Sequence, residues 1–170
     1  MKNQISEYKN LVTPLEIASK PHELASLLAP FKNDDPIAKA ICRDTPIRSY
    51  EMDVFKEAIV SLVTQLVADA GQRISEEELL YLVKRLIEVL IKKYKGLTLR
   101  EIRLAFECGI KGDCGDFYGV NLRTCLQFIE GYSKQRKVKI NKMLQQVDIE
   151  RIKQDEIKFL KYKQRKSSTN

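Results

Sequence analysis

All five prolines of this 170-residue chain, at positions 14, 21, 30, 36 and 46, lie in its first 46 residues. Each removes a backbone donor and disfavours helix in the residue before it. Residues 1–50 therefore read as an N-terminal arm of short helical turns, too broken for a core of its own. Its apolar cluster Leu24, Leu27, Leu28 and Phe31 suits packing against a neighbour. Beyond Pro46 no proline limits helix length, and what the chain can fold into is decided by apolar periodicity.

That periodicity is helical. Met52, Phe55, Ile59, Leu62, Val63, Leu66 and Val67 recur at three and four residues, one face of a helix ending near Gly71. Ser75 with Glu78 forms a capping box, and Ile74 with Leu79 a hydrophobic staple, at the start of a helix that Lys92 and Lys93 complete before Gly96. Thr98 with Glu101 repeats the capping box, predicting a helix over about 98–108 with Leu99, Ile102, Ala105 and Phe106 inward and Arg100, Arg103 and Glu107 outward. Asn121 caps a further helix that runs past Gly131. No segment alternates with period two for long enough to form a strand. The expected fold is all-α: a helical bundle core over 51–133, preceded by the arm and followed by a long basic helix over 134–170.

Composition excludes several classes. At 44% hydrophobic residues the chain is ordinary for a globular protein, and its apolar runs are too short to cross a bilayer. The opening MKNQISEYKNLVTP is charged where a leader would be apolar. Cys42, Cys108, Cys114 and Cys125 are irregularly spaced, as expected of reduced thiols. A cytoplasmic protein without membrane contact is expected.

The net charge of +7 is unevenly placed. Residues 1–130 carry 18 Lys/Arg against 19 Asp/Glu, whereas residues 131–170 carry 12 against 4. Lys134, Arg136, Lys137, Lys139 and Lys142 crowd the start of the tail, and Lys158, Lys161, Lys163, Arg165 and Lys166 its end. Concentrated positive charge attracts polyanions by releasing their counterions; a solvated helix face has the same composition. The apolar residues between them, Ile140, Leu144, Val147, Ile152, Ile157 and Leu160, form a narrow stripe able to dock on the core or pair with another copy. The final SSTN is expected to fray.

Four of the seven glycines fall in GIKGDCGDFYG, residues 109–119. No Walker lysine and hydroxyl follow Gly119. Gly109–Gly112 matches the GXXG of KH modules, but Asp113 and Asp116 would repel phosphate and no sheet accompanies the pattern. The aspartates lack the alternation of a calcium loop, and Cys108, Cys114 and Cys125 lack the close pairing of a zinc site. The single histidine, His22, sits in the arm, and no nucleophile elbow is present. Asp34 with Asp35 reads as a turn, and Glu76 to Glu78 as helix-start charges. No catalytic residue, metal or cofactor is expected. The segment reads as a reversal in which Gly109 ends a helix and Phe117 and Tyr118 pin the turn to the core, with Lys111 and Tyr118 as the candidate loop contacts.

Residues 97–132 carry an LT..EI..AF..G pattern in Leu97, Thr98, Glu101, Ile102, Ala105, Phe106 and Gly109. Gly112, Gly115, Asp116, Phe117, Tyr118 and Gly119 follow, leading into Asn121, Thr124 and Phe128. This stretch, about a fifth of the chain, resembles a segment of small helical proteins encoded by bacteriophages and related mobile elements; Cys114 stands where the usual aromatic precedes the third glycine. The resemblance implies DNA replication or DNA handling in a host cytoplasm and carries over no catalytic residues. The expectation is a non-enzymatic nucleic-acid-binding or replication-accessory protein whose basic tail contacts phosphates, with a protein partner or self-association possible. The alternative is a structural or assembly protein making helix-mediated contacts.

Overall fold

The two capping boxes form as the local sequence dictates. Glu78 N–H bonds the Ser75 hydroxyl while Ser75 N–H donates to the Glu78 carboxylate (3.2 and 2.8 Å). Glu101 N–H and Thr98 N–H make the same exchange (3.1 and 3.0 Å). Each satisfies two of the four donors left open at a helix start. They begin two of the six helices in the computed structural model, which describes residues 21–167: α1 (Pro21–Leu28), α2 (Pro36–Arg43), α3 (Met52–Asp69), α4 (Glu76–Lys93), α5 (Leu99–Ile110) and α6 (Leu122–Ser167). Single 3-10 turns occupy Ala29–Phe31 and Ile47–Ser49. The described residues form no strand, only an isolated bridge between Pro46 and Thr98. The fold is all-α, and none of its helices is long and apolar enough to cross a membrane among the described residues.

The prolines start helices here rather than merely interrupting them. Pro36 is the first residue of α2, where its missing N–H is not needed, and the Asp35 carboxylate accepts from Ile37 and Ala38 N–H (2.8 and 3.1 Å). The arm is consequently part of the core: Leu24, Leu28, Ile37 and Ile41 belong to the same buried cluster as Phe55, Leu86, Phe106 and Phe128. That cluster continues through Tyr132 to Ile140, Met143 and Leu144, so packing runs across both positions, 50 and 133, at which the sequence reading divides the chain. Residues 1–20 of the arm and the end of the tail beyond Ser167 lie outside the described residues.

The 46 residues of α6 make a rod roughly 70 Å long. Its first half lies along α5, with further contacts to α1 and α4. The tail stripe divides accordingly: Ile140 and Leu144 are buried and Val147 half-buried, whereas Ile152, Ile157 and Leu160 are exposed because the helix has run past the body.

Candidate functional site

The cations read from the sequence lie on α6. Lys134, Lys137, Lys139 and Lys142 are exposed on its packed half, and Lys158, Lys161 and Lys163 on its projecting half. Between Glu130 and Asp148 no acidic residue interrupts the helix. Lys139 Nζ lies 3.5 Å from the Asp35 carboxylate, an exposed and weak pair. Lys158 pairs with Asp155 one turn back (3.4 Å). The side chains of Arg165 and Lys166 lie outside the described residues.

Arg136 differs from its neighbours. Its guanidinium turns inward, and Nε donates to Glu101 Oε1, on a carboxylate that is fully buried. The Tyr132 hydroxyl donates to the same oxygen (3.3 Å), while Oε2 holds the Thr98 cap. Burial, with the Glu101 charge beside it, pushes the Tyr132 phenol well above its ordinary value, so it remains a donor. Arg136 is therefore a structural ion-pair partner, not one of the exposed cations among which the sequence places it.

The glycine segment is tied down at many points. Gln127 Nε2 donates to the Cys114 and Asp116 carbonyls (3.1 and 3.2 Å), Val120 N–H to Gln72 Oε1 (2.7 Å), and the Thr124 hydroxyl to the Gly119 carbonyl (2.6 Å). Gly112, Gly115 and Gly119 take positive φ, which the reversal requires. Gly109 does not end the helix. It is buried inside α5, where a Cβ would stand 2.1 Å from Phe128 Cγ, so its absent side chain is what lets α5 and α6 meet. Phe117 pins the turn by an edge-to-face contact with Phe128 (centroids 5.1 Å apart), but Tyr118 is fully exposed and pins nothing. Lys111 and Tyr118 both stand free at the tip.

Folding also gathers groups that are far apart in sequence. Lys39 and Arg43 of α2 meet Arg100 and Arg103 of α5 around an open groove of about 610 Å³ floored by Leu62, Leu99 and Leu104. Two of these cations are engaged, Arg43 with Asn33 and Arg103 with Glu107 (both 3.0 Å). The only sequence signal was cations one turn apart on each helix; nothing local brings the two helices together. A smaller cleft of about 270 Å³ is lined by His22, Cys42, Glu101 and Arg136. There Cys42 donates to the Ala25 carbonyl (3.2 Å), and burial raises its thiol. Burial likewise raises Cys108 and Cys114 and pushes Cys125 up to about 12, so the thiols rest protonated at neutral pH. Among the described residues no group of three or more His, Cys, Asp or Glu side chains is placed to hold a metal.

Comparison of the chain with protein-family models, with curated proteins and with solved structures finds no match.

Proposed function

We propose that this chain is a non-enzymatic nucleic-acid-binding protein, an accessory of replication in a phage or mobile element, that contacts phosphates through exposed lysines of α6. The observation that carries the reading is the acid-free stretch between Glu130 and Asp148, where Lys134, Lys137, Lys139 and Lys142 stand in solvent on a helix held against the core. A fixed helix presents these charges without the ordering cost of a flexible tail. Contacts of this type position a phosphate backbone and carry no sequence information. Binding of duplex DNA, followed by fluorescence anisotropy over a range of salt concentrations, tests the reading. Replacing Lys134, Lys137 and Lys142 together by Glu is expected to abolish binding; replacing any one by Ala should lower the salt slope by about 0.9. Binding that is unchanged in the triple variant overturns the proposal.

A second reading, an assembly protein working through helix contacts, is favoured by one specific observation. The projecting half of α6 leaves Ile149, Ile152, Ile157, Phe159 and Leu160 exposed.

A further inference from the structure

The groove between α2 and α5 joins an apolar floor to a cationic rim. Lys39 and Arg43 stand one turn apart on α2 along one side, and Arg100 and Arg103 stand on α5 along the other. Leu62 of α3 with Leu99 and Leu104 of α5, all half-buried, lies between them. Each leucine is packed against the core on one side and left open to the groove on the other. At about 610 Å³ the space lies within the range of about 300–1,000 Å³ that takes up a ligand or a set of partner side chains.

The fold does not neutralise this rim. Four cations meet two acids, Asp44 and Glu107. Glu107 pairs with Arg103 (3.0 Å). Both oxygens of Asp44 are held within the body: Oδ2 accepts from Arg100 N–H (3.0 Å), and Oδ1 from the Tyr50 hydroxyl and Thr45 N–H (both 2.9 Å). The Arg43 guanidinium reaches the neutral Asn33, and the side chains of Lys39 and Arg100 make no hydrogen bond or ion pair among the described residues. Positive charge is thus in excess on both sides of the floor, which calls for an acidic occupant. The floor then selects among acidic occupants. A phosphate ion held by the rim alone would leave the three leucines in water. A nucleic-acid strand would bring bases that stack on aromatic faces, and no aromatic side chain among the described residues lines the groove. Lys139 of α6 moreover pairs with Asp35, whose carbonyl accepts from Lys39 N–H (2.9 Å), so a carboxylate interrupts the cations where α6 approaches the groove. A helix with apolar residues on one face and carboxylates flanking them matches floor and rim together.

We infer that the groove between α2 and α5 docks an acidic amphipathic helix of a partner protein, its apolar face on Leu62, Leu99 and Leu104 and its carboxylates toward Lys39, Arg43 and Arg100. This protein contact is separate from the phosphate contacts of α6, and one chain can make both at once.

Fluorescence anisotropy of the full chain with a labelled synthetic helix, leucine on one face and glutamate on its flanks, tests the inference. Saturable binding in the micromolar range is expected. A peptide of the same composition with its leucines dispersed around the helix should bind about tenfold more weakly, because it cannot cover the floor. Lys39→Gln with Arg100→Gln should weaken the first peptide by about tenfold through loss of two charge contacts, and should leave duplex DNA affinity unchanged. Ser61, exposed on α3 and lining the same groove, gives a charge test clear of the core: Ser61→Glu should weaken the peptide and Ser61→Lys should tighten it. No binding at millimolar peptide, equal binding of the dispersed peptide, or the same effect from both Ser61 variants each overturns the inference. So does a Lys39→Gln, Arg100→Gln variant that loses DNA and keeps the peptide, which would assign the groove to nucleic acid. The Lys134, Lys137 and Lys142 triple variant should bind the peptide as wild type does, so this inference and the nucleic-acid reading fail on different measurements.

Discussion

Replacing Glu101 by Ala should be the most damaging single polar substitution in the body. The carboxylate is 0% exposed and serves three donors: Thr98 N–H, the Tyr132 hydroxyl and Arg136 Nε. Removing one partner of a buried ion pair costs about 3–5 kcal/mol because the other charge is left without compensation. Arg136 is 19% exposed and can recover some hydration, which places the ion-pair loss near the low end, about 3 kcal/mol. The lost capping interaction adds about 1 kcal/mol. Against a domain stability of about 5–15 kcal/mol this is a large fraction. Urea denaturation followed by circular dichroism reads it directly. The decisive measurement is a cycle with Arg136→Met. If the pair is the source of the cost, Glu101→Ala combined with Arg136→Met should cost less than the two single variants summed, by a coupling of about 1–3 kcal/mol. Additivity of the two single variants to within about 0.5 kcal/mol would refute the argument. The cycle also bears on function: Arg136→Met should leave DNA affinity nearly unchanged under conditions where it is folded, whereas Lys134→Ala and Lys137→Ala reduce it.

Gly109→Ala should cost at least about 1–3 kcal/mol, since the new methyl overlaps the buried Phe128 ring and α5 must move away from α6; Tyr118→Ala in the same segment should be silent in the same denaturation assay, because its side chain makes no buried contact. In native protein, Cys125 should react with a thiol reagent only as fast as the core opens, behind the partly exposed Cys42, Cys108 and Cys114. With its pKa pushed up to about 12 by burial, Cys125 keeps its proton in the fold while an unfolded thiol loses it. Its contribution to stability is therefore full below the ordinary value of 9.0 and is lost as pH rises from there through about 12, which urea midpoints of wild type and Cys125→Ala across alkaline pH will check.

Signals complete within a few residues account for the helix starts, but not for Gly109, which lies inside α5 instead of ending it, or for Tyr118, which is exposed instead of pinned to the core. The capping boxes at Ser75 and Thr98 are complete within four residues, so chain order alone determines them. The helix of Met52–Asp69 and its stop at Gly71, which takes positive φ, follow in the same way from periodicity and backbone sterics. Arg136 shows where local reading ran short. It lies four residues from both Tyr132 and Ile140, on the line that faces the core, and that spacing carried the signal of an inward arginine. Grouping it by charge with Lys134 and Lys137 concealed it, because its partner Glu101 is thirty-five residues away.

The all-α class, the helix starts and the concentration of positive charge after residue 130 were determined by the sequence itself, since each depends on neighbours within a turn or on simple addition. Tertiary structure decided the rest. It drew the proline-bounded arm into the core, set Gly109 against Phe128 and turned Arg136 toward Glu101. It also gathered Lys39, Arg43, Arg100 and Arg103 around one groove and carried the end of α6 clear of the body. Each of these depends on the distance between groups remote in the chain, and that distance is set only when the apolar faces of several helices are buried together.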